Sequence, residues 1–541
     1  MPLGYDEGMN ALNRFPTPLL IALIPLLNLL AASFQDVTTV YAGAFLSALG
    51  ITLLAAGLLW GVLALFLRGR VNALWARSAC MAIILIILLG SGGGIFAALH
   101  EGLALPGLKL TIRQPAIFLT LAVCVTIAAM VTVWRLSEQR VKALFQWVTA
   151  YALIVLLGAL APVLPQLAQG PGALKPAASV ETQATAVSAT GVASLPDIYF
   201  LILDEYGNGA MLQRFLHFDN TPFLKAMQAR GFITTPHSTS NYAQTALSIP
   251  SMLNMRYLDA ERAIGNAQQR ADALKNALQE NAVMREAREH GYRVISFETA
   301  WGLTADLAVA DLTMRCGGLN EFGYLMLKQT LAGLWAGQLN TSRRAIIRCP
   351  FERIPDLAKQ PFRKFVFAHI VSPHMPYLFD AAGNPVEDTH NLNIASESGT
   401  QPGPYLAQLQ FINTQVLQLV DRILATSEHP PIILIVSDHG TASQFPKLKT
   451  WNTPSPAMLQ ERMHNLGLFY LPPDMRAAFD PPGSPVNLFR SVYRQLWSAD
   501  RPPLPDRNWY SSYVEDRRWA FMDVSAVVQR GRPAPRSSSP P

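Results

Sequence analysis

The sequence is short of charged residues. Only 15% of its 541 residues are charged, whereas 50% are hydrophobic, and soluble proteins seldom combine the two. It also lacks a basic run with interleaved aromatic residues, so its net charge of +6 gives no indication of nucleic-acid binding. The shortage of charge excludes an ordinary soluble protein, and the length is too great for one ordinary domain.

The hydrophobic excess lies in five apolar runs before residue 165. Each run is close to the roughly 20 residues that a helix needs to cross a bilayer. The runs are 18–34, 42–66, 79–98, 116–134 and 147–164. The first run lacks a small-residue cleavage site and four more follow it, which indicates a retained anchor and not a cleaved signal. We therefore predict a transmembrane domain of five helices at residues 1–164.

Basic residues are unevenly distributed between the loops. Loops 67–78 and 135–143 each hold three Lys or Arg residues, whereas loop 35–41 holds none and loop 99–115 holds two. Because basic loops stay in the cytoplasm, the five spans start inside and place everything after residue 165 outside. We predict a multi-pass protein of a bacterial cytoplasmic membrane whose catalytic domain is extracytoplasmic, in the periplasm.

The sequence has only four cysteines. Cys80 and Cys124 lie inside apolar runs, where cysteine acts as a small apolar residue. Cys316 and Cys349 lie in the external part, where an oxidising compartment favours a disulfide. We predict that these two residues pair.

The external part begins with a linker, residues 165–195, which is rich in Ala, Ser, Thr, Gly and Pro. Apolar β-branched and aromatic runs follow, as in strands covered on both faces. These runs are 198–203, 293–297, 365–371, 432–437 and 466–471. Apolar residues at helical spacing indicate a crossover helix between the third and fourth runs; they are Leu406, Leu409, Ile412, Val416, Leu419, Val420 and Ile423.

This alternation predicts an α/β domain with a largely parallel sheet at residues 196–525. The last residues, 526–541, end in RGRPAPRSSSPP and are expected to be a disordered tail.

Acids and imidazoles follow the ends of three predicted strands, where the loops of a parallel sheet converge. An isolated Asp after a strand usually caps a helix, and a lone His is usually structural. Only the combination of acids and imidazoles at one edge of the sheet therefore indicates a metal site. Carboxylate and imidazole together suit Zn²⁺ or Mn²⁺. The candidates are Asp204 and Glu205 after the first strand, His369 and His374 at the third, and Asp438 and His439 after the fourth.

The stretch NYAQTALSIPSM at residues 241–252 holds a further candidate, Thr245. Pro250 requires a helix that begins only a few residues earlier, so Thr245 lies at or near its N-terminus. Free N–H groups and the helix dipole favour a phosphate there, and a metal-bound hydroxyl could attack phosphorus. A helix cap and a nucleophile need the same position, so the helix signal alone does not separate them.

These motifs resemble the alkaline phosphatase superfamily, in its branch of membrane-anchored sulfatase-like phosphotransferases. That branch contains the lipid A phosphoethanolamine transferases and the lipoteichoic acid (phosphoglycerol) synthases. The resemblance runs from the membrane anchor to about residue 480 and includes an alkaline phosphatase-like fold. The matching positions are Asp204, Thr245 in TALSIPSM, His369 and His374, Asp438 and His439 in SDHG, and a later His464.

The resemblance implies a reaction and a set of roles. Thr245 would be the nucleophile and, with Asp204, Asp438 and His439, a ligand of Zn²⁺, with Mn²⁺ or Mg²⁺ as alternatives. It would take phosphoethanolamine or phosphoglycerol from a membrane phospholipid as a phosphothreonine and pass it to a cell-envelope glycolipid, such as the lipid A of lipopolysaccharide, or to a glycan. The substrate or a second metal would be held by His369, His374 and His464.

The sequence departs from that family at two points. The strand-end ligand is usually Glu in the family, whereas here Asp204 has Glu205 beside it as an alternative ligand. Disulfides flank the nucleophile in the phosphoethanolamine enzymes, whereas Gln244 and Ser251 occupy that neighbourhood here. The departures leave the transferred group open.

Three other functions compete with this interpretation. A true sulfatase needs C-x-P-x-R or S-x-P-x-R for formylglycine, and SIPSM at residues 248–252 lacks the Arg. A phosphodiesterase or phosphatase that ends on water would use the same residues. A non-catalytic membrane assembly protein is disfavoured because the ligand set is intact. The oligomeric state is left open.

Overall fold

The structure is a computed structural model that describes residues 16–32, 42–101, 103–105, 108–112, 114–160, 195–265, 267–317, 321–386, 399–445, 448–512 and 518–530. The chain forms two compact units. The first comprises Met1–Ser179 and Leu319–Leu339, and the second comprises Val180–Gly318 and Asn340–Pro541. The predicted linker falls almost entirely outside the described residues.

The first unit is built from apolar helices and one short hairpin. The helices are α1 (Thr17–Ala32), α2 (Ala42–Leu67), α3 (Leu74–Glu101), α4 (Pro115–Arg135) and α5 (Glu138–Leu160), and the hairpin joins β1 (Leu103–Leu105) to β2 (Leu108–Leu110). In the described part of the chain, α2 to α5 are long and apolar enough to cross a membrane.

The predicted count of five membrane-spanning helices is not confirmed. Helix α1 has 16 residues and at 1.5 Å per residue reaches only about 24 Å, less than the ~30 Å of a bilayer's hydrocarbon core. Among its described residues, the unit therefore has four long apolar helices and a shorter one.

Arg77 links the start of α3 to the end of α4. This residue is 7% exposed, and its guanidinium donates to the carbonyls of Val133, Trp134 and Leu136, the last two at 2.5 and 2.6 Å. The start of α3 and the end of α4 are therefore adjacent, so the two Arg-rich loops lie at the same end of this helical unit.

The second unit contains a seven-stranded sheet. Its strands are β3 (Ile198–Leu203), β4 (Ile233–Thr234), β5 (Arg293–Phe297), β6 (Leu312–Met314), β7 (Lys364–Ile370), β8 (Ile432–Val436) and β9 (Gly467–Tyr470), in the order β4-β9-β8-β3-β7-β5-β6. Five consecutive strands of this order run parallel to one another; they are β8, β3, β7, β5 and β6. Strand β9 pairs antiparallel with β8 and β4, so the sheet is mixed at this edge.

The α-helices described after β3 are α6 (Gly209–Leu216), α7 (Thr221–Ala229), α8 (Thr245–Leu253), α9 (Asp259–Arg262), α10 (Ala267–Gln279), α11 (Ala282–Glu289), α12 (Gly302–Ala305), α13 (Glu321–Gln329, in the first unit), α14 (Ala336–Ala358), α15 (Pro402–Thr426), α16 (Pro456–Met463), α17 (Pro473–Ala478), α18 (Leu488–Trp497) and α19 (Ser525–Val528). Helix α15 packs on one face of the sheet, and α8 and α18 pack on the other. Short 3₁₀ helices occupy Leu331–Trp335, Leu448–Asn452 and Pro485–Asn487, and β10 (Trp509–Tyr510) pairs with β11 (Met522–Asp523).

Alternate residues of β3 enter two separate cores. Tyr199, Leu201 and Leu203 pack in the core that contains α15, the predicted crossover helix. Phe200 and its neighbours on the other face pack against α8 and α18. Because side chains alternate along a strand, a continuous apolar run is what a sheet covered on both faces requires.

Residues 321–335 lie between two stretches of the second unit in the sequence but belong to the first unit. Helix α13 and the 3₁₀ helix Leu331–Trp335 lie against α3. There Gly92 allows Leu331 to approach closely, and Gly93 allows the backbone at Lys328 and Thr330 to do so. The disulfide between Cys316 and Cys349 links the chain before this segment to the chain after it, and the two Cα atoms are 6.0 Å apart. In the chain-entropy model, closing such a loop stabilises the fold by about 3 to 4 kcal/mol.

The predicted tail boundary is too early. Helix α19 covers Ser525–Val528, and Val528 is buried among apolar side chains. Residues 531–541 of the expected disordered tail lie outside the described residues.

Candidate active site

Three ionisable side chains meet beyond the ends of β3 and β8. The two strands are parallel neighbours with Ile202 opposite Val436, so the residues that follow them emerge side by side. The backbone N–H of Asp204 donates to the carbonyl of Ile370 at 3.0 Å, which extends the pairing with β7. The N–H of Glu205 donates to Asp438 Oδ1 at 3.1 Å and thereby joins the two strand ends.

Asp204, Asp438 and His439 form a group that could hold a metal ion. Their ligand atoms lie within 4.8 Å of one another, and all three residues are buried. His439 Nδ1 lies 3.1 Å from the carbonyl of Gly440, so Nε2 faces the acids, 3.1 Å from Asp438 Oδ2 and 3.9 Å from Asp204 Oδ1.

The chemistry of this group fits a divalent cation. Asp204 Oδ1 and Asp438 Oδ2 are buried oxygens without a hydrogen-bond partner among the described residues. Buried carboxylate oxygens are costly unless they are paired or bind a metal. Two carboxylates and one imidazole are ligands that Zn²⁺ accepts.

The pKa shifts of these three residues also favour a bound cation. Burial raises the pKa of Asp438, and the nearby charge of Asp204 raises it further. Burial would also raise the pKa of Asp204, but His374, followed by His369 and His439, holds it well below its usual range. Burial first, and then the Arg462 guanidinium, lowers the pKa of His439 well below its ordinary value. The imidazole is therefore neutral and the acids repel each other, which a bound cation would relieve.

Thr245 is the first residue of α8 and reaches this group. The cap position belongs to Gln244, whose side chain makes no cap hydrogen bond. The Thr245 hydroxyl lies 3.1 Å from His439 Nε2. Thr245 is partly exposed, whereas the three candidate ligands are buried. The Thr245 hydroxyl therefore lies between the buried carboxylates and the side of the site that faces solvent.

Glu205 lies in the site with its carboxylate turned to other partners. Its backbone φ is +62°, a left-handed conformation that costs free energy in a residue with a side chain. The hydroxyl of Thr400 donates to Oε1 at 2.5 Å, and His374 Nε2 lies 3.6 Å from Oε2. Burial raises the pKa of Glu205, although His374 and Arg462 oppose this.

The three predicted substrate-binding histidines are placed differently. His369 is buried, with Nε2 3.3 Å from Asp204 Oδ2 and Nδ1 2.8 Å from the Thr304 hydroxyl, so it orients an acid. The side chain of His374 is 34% exposed. Its loss of hydration lowers its pKa, but the carboxylates of Asp204 and Glu205 outweigh this and raise the pKa above its ordinary value.

His464 ends α16, where Nδ1 lies 2.7 Å from the carbonyl of Gln460. Among the described residues, the group that could hold a metal ion does not include His464. Its predicted role in substrate binding stays a prediction.

Sequence reasoning missed the charged pair at the end of α16. Glu461 accepts from the Thr441 hydroxyl and from the N–H groups of Ser443 and Gln444, which fixes the loop after His439. Arg462 lies 3.0 Å from His439 Nε2. The only signal was two charged residues inside ERMHN, directly before the predicted His464.

A match to a family model defines the class of protein: an enzyme of the sulfatase-like alkaline phosphatase superfamily. The family model described as Sulfatase matches residues 196–496, which is more than half of the chain. The chain therefore belongs to the sulfatase family. No curated protein sequence matches it.

Several solved structures are similar. The C-terminal periplasmic domain of EcEptC from Escherichia coli is 13% identical, with 61% of this chain and 93% of that chain covered and a TM-score of 0.40. The lipoteichoic acid synthase LtaP from Listeria monocytogenes is 11% identical, with coverages of 61% and 80% and a TM-score of 0.39. The integral membrane lipooligosaccharide phosphoethanolamine transferase A from Neisseria meningitidis is 13% identical, with coverages of 87% and 94% and a TM-score of 0.36. The family assignment rests on the family model alone.

Proposed function

We propose that this chain transfers a phospho-headgroup, phosphoethanolamine or phosphoglycerol, from a membrane phospholipid to a cell-envelope glycolipid or glycan. The observation that carries the proposal is the hydroxyl of Thr245, 3.1 Å from the candidate metal-binding nitrogen of His439. A hydroxyl that is the first side chain of a helix and contacts a group able to bind a metal supports the role of a nucleophile.

Asp204, Asp438 and His439 are the proposed ligands of the metal, Zn²⁺ in our proposal, with Thr245 as the fourth. A bound divalent ion would favour the ionised hydroxyl and offset charge on the phosphoryl oxygens. In the first step Thr245 Oγ1 bonds to phosphorus, the bond from phosphorus to the glyceride oxygen breaks, and diacylglycerol leaves with a proton. In the second step an acceptor hydroxyl oxygen bonds to phosphorus, the bond from phosphorus to Thr245 Oγ1 breaks, and the acceptor's proton passes to Oγ1.

His369 and His374 have separate roles in this proposal. His369 holds Asp204 Oδ2 and leaves Oδ1 for the metal. His374 is protonated more readily than an ordinary histidine because two carboxylates face it. Its exposed ring can contact a donor or acceptor phosphate as that substrate enters.

The side chain of Thr245 favours phosphoryl transfer over sulfate-ester hydrolysis of the formylglycine type. Formylglycine is an aldehyde made from Cys or Ser, and the methyl group on the Thr Cβ prevents the same oxidation. The neighbouring Ser248 is buried, and its hydroxyl donates to the carbonyl of Asp438 at 2.7 Å. Ser248 therefore supports the loop and is not available as a nucleophile.

The helical unit supports a lipid donor. Four helices are long and apolar enough to cross a membrane, and a chain held in a bilayer shares that phase with its phospholipid substrate. We propose that it lies in a bacterial cytoplasmic membrane with the sulfatase-family domain on the periplasmic side.

The test is release of diacylglycerol by the full chain in mixed micelles. The zinc-loaded protein is given phosphatidylethanolamine or phosphatidylglycerol, with and without a glycolipid extract. We expect release from one of the two lipids, none by Thr245→Ala, and wild-type release by the control Thr414→Ala, whose hydroxyl lies on the exposed side of α15. Wild-type protein that releases diacylglycerol from neither lipid would contradict the proposal.

The same assay separates transfer from hydrolysis. A transferase places the labelled headgroup on the added glycolipid. A phosphodiesterase releases free headgroup in step with diacylglycerol whether or not the extract is present, and that outcome would replace the transferase proposal.

A further inference from the structure

Residues 321–335, the inserted segment, belong to the helical unit although the Sulfatase match over residues 196–496 surrounds them in the sequence. Helix α13 contacts α1, α2 and α3, and the 3₁₀ helix Leu331–Trp335 contacts α3. Leu331 packs at Gly92, and the carbonyls of Lys328 and Thr330 lie beside Gly93. A piece of the sulfatase-family sequence therefore packs among apolar helices.

The contacts with α2 and α3 give the depth of the inserted segment. At 1.5 Å per residue, α3 rises about 24 Å from Arg77, at the cytoplasmic end in our topology, to Gly93. A hydrocarbon core is ~30 Å thick, so Gly93 lies about 6 Å inside its outer boundary. Helix α2 rises about 33 Å from Leu67 to Phe45, and the ring centroids of Phe45 and Phe322 are 6.3 Å apart. Helix α13 therefore begins at the outer boundary, and the turn after it lies within the core.

The backbone of this turn forms its own hydrogen bonds. The N–H and the hydroxyl of Thr330 both donate to the carbonyl of Leu327, at 3.1 and 2.7 Å. The N–H of Gly333 donates to the carbonyl of Thr330 at 2.9 Å, and the N–H of Ala332 donates to the Thr330 hydroxyl oxygen at 3.2 Å. Irregular backbone is tolerated at membrane depth only where its polar groups are paired. The turn can therefore lie below the membrane surface without leaving these donors unpaired.

Lys328, the basic residue of the inserted segment, points back toward the outer boundary. Its Nζ lies 5.9 Å from the ring centroid of Tyr324, which precedes it by one helical turn on the side of Phe322. A lysine in an apolar setting keeps its methylene groups there and extends its ammonium group toward water. The charge of Lys328 is therefore compatible with the depth of the turn.

Trp335 ends the inserted segment with an exposed side chain. It is 52% exposed, and Leu89 and Ile95 of α3 are 47% and 41% exposed. Tryptophan is enriched near membrane boundaries because its indole ring is amphipathic. An exposed indole in a unit whose other exposed apolar side chains face lipid fits a phospholipid better than it fits water.

We propose that the inserted segment enters the outer leaflet of the membrane, where Leu331–Trp335 contacts the acyl chains of phospholipids. The segment gives the sulfatase-family domain a second attachment to the bilayer, besides the chain that follows α5. The inference rests on the proposed membrane location and topology, and it is independent of the proposed phosphoryl transfer.

The test locates nitroxide labels in the full chain reconstituted in phospholipid nanodiscs. Both free cysteines, Cys80 and Cys124, are first replaced by alanine, and the disulfide is kept. The labels are then introduced in two variants, Ala332→Cys and Trp335→Cys. Collisions of each label with oxygen, which concentrates in lipid, are compared with collisions with a water-soluble nickel chelate.

Two control positions calibrate the ratio of oxygen to nickel collisions. Ile95→Cys places a label on the exposed side of α3, and Met522→Cys places one on an apolar side chain of the second unit that is 46% exposed. We expect labels at positions 332 and 335 to give a ratio close to that of Ile95→Cys and well above that of Met522→Cys. Ala332 is exposed, and its variant keeps the indole of Trp335, so this result does not depend on losing that ring.

Each other outcome has a separate meaning. If the labels at 332 and 335 match Met522→Cys, the inserted segment lies in water and the inference is overturned. If they are shielded from both reagents, a protein surface covers the segment, which also overturns it. If the Ile95→Cys label gives the ratio expected in water, the membrane location of the helical unit is wrong and the inference fails with it. If the labels lie in lipid but the wild type releases no diacylglycerol, the inference stands and the proposed function fails.

Discussion

At Thr245, a helix cap and a nucleophile would respond differently to substitution. The hydroxyl faces His439, and the cap position belongs to Gln244. We therefore expect Thr245→Ala and Thr245→Asn to keep the free energy of unfolding within about 0.5 kcal/mol of the wild type, with no turnover in either, while Thr245→Ser retains some. A capping role would instead cost about 1 kcal/mol in the Ala variant and be restored by Asn, which thermal unfolding would reveal.

Asp204 and Glu205 are adjacent acids, and among the described residues the group that could hold a metal ion includes only Asp204 of the two. Asp204 Oδ1 is a buried oxygen beside His439 Nε2, whereas the Glu205 carboxylate is bonded to Thr400. Elemental analysis should show that Asp204→Ala loses most of its zinc, like Asp438→Ala, while Glu205→Ala retains close to one ion per chain. Full occupancy in both Asp variants would show that the metal site is misplaced.

At the scale of elements, apolar runs predicted the sheet closely. The five predicted strands match β3, β5, β7, β8 and β9 to within a residue at either end. Strands β4 and β6 were missed because two or three residues carry no periodicity. The antiparallel direction of β9 could not be predicted, since a short apolar run has the same pattern in either direction.

The site could be predicted only in part. Strand ends revealed Asp204, Asp438 and His439 because parallel strands bring their carboxyl ends to one edge. Arg462 and Thr400 reach the site through contacts with Ala243 and Glu205 that are far apart in sequence. Such contacts depend on tertiary packing and leave no local pattern.

Helix α3 offers a test of how residues 321–335 pack in the first unit. A Cβ at Gly93 would lie 2.2 Å from the carbonyl oxygens of Lys328 and Thr330, whereas a Cβ at Gly90 meets nothing within 4 Å. We expect Gly93→Ala to lower the thermal stability of the protein in detergent. Gly90→Ala should keep it or raise it slightly, because alanine favours a helix by about 1 kcal/mol over glycine. Equal stability of the two variants would show that this close packing does not form.

For the whole molecule, the side of the membrane reached by the sulfatase-family domain does not depend on whether α1 crosses. The two Arg-rich loops join α2 to α3 and α4 to α5 and lie at one end of the helical unit. Because basic loops stay in the cytoplasm, we predict that the chain leaves α5 on the outer side. Reporter fusions after Arg70 and Gly170 should report cytoplasm and periplasm, respectively. A cytoplasmic signal from the Gly170 fusion would contradict this topology.

The boundary between the two units was the least predictable feature of the whole chain. Residues 321–335 contain EFGYLMLKQTLAGLW, which is too short and too polar at its centre to indicate a membrane-spanning helix. Their place in the first unit depends on glycines that lie much earlier in the sequence, in α3. Only the folded chain brings the two segments together.

The central claim is that Thr245 carries the headgroup between donor and acceptor. The most direct measurement is mass spectrometry of the wild-type chain after incubation with donor phospholipid and no acceptor. The account predicts a peptide in which Thr245 bears the intact phospho-headgroup, lost when the glycolipid acceptor is added and absent from Thr245→Ala. Diacylglycerol release with Thr245 unmodified throughout, or with the headgroup attached to another residue, would contradict it.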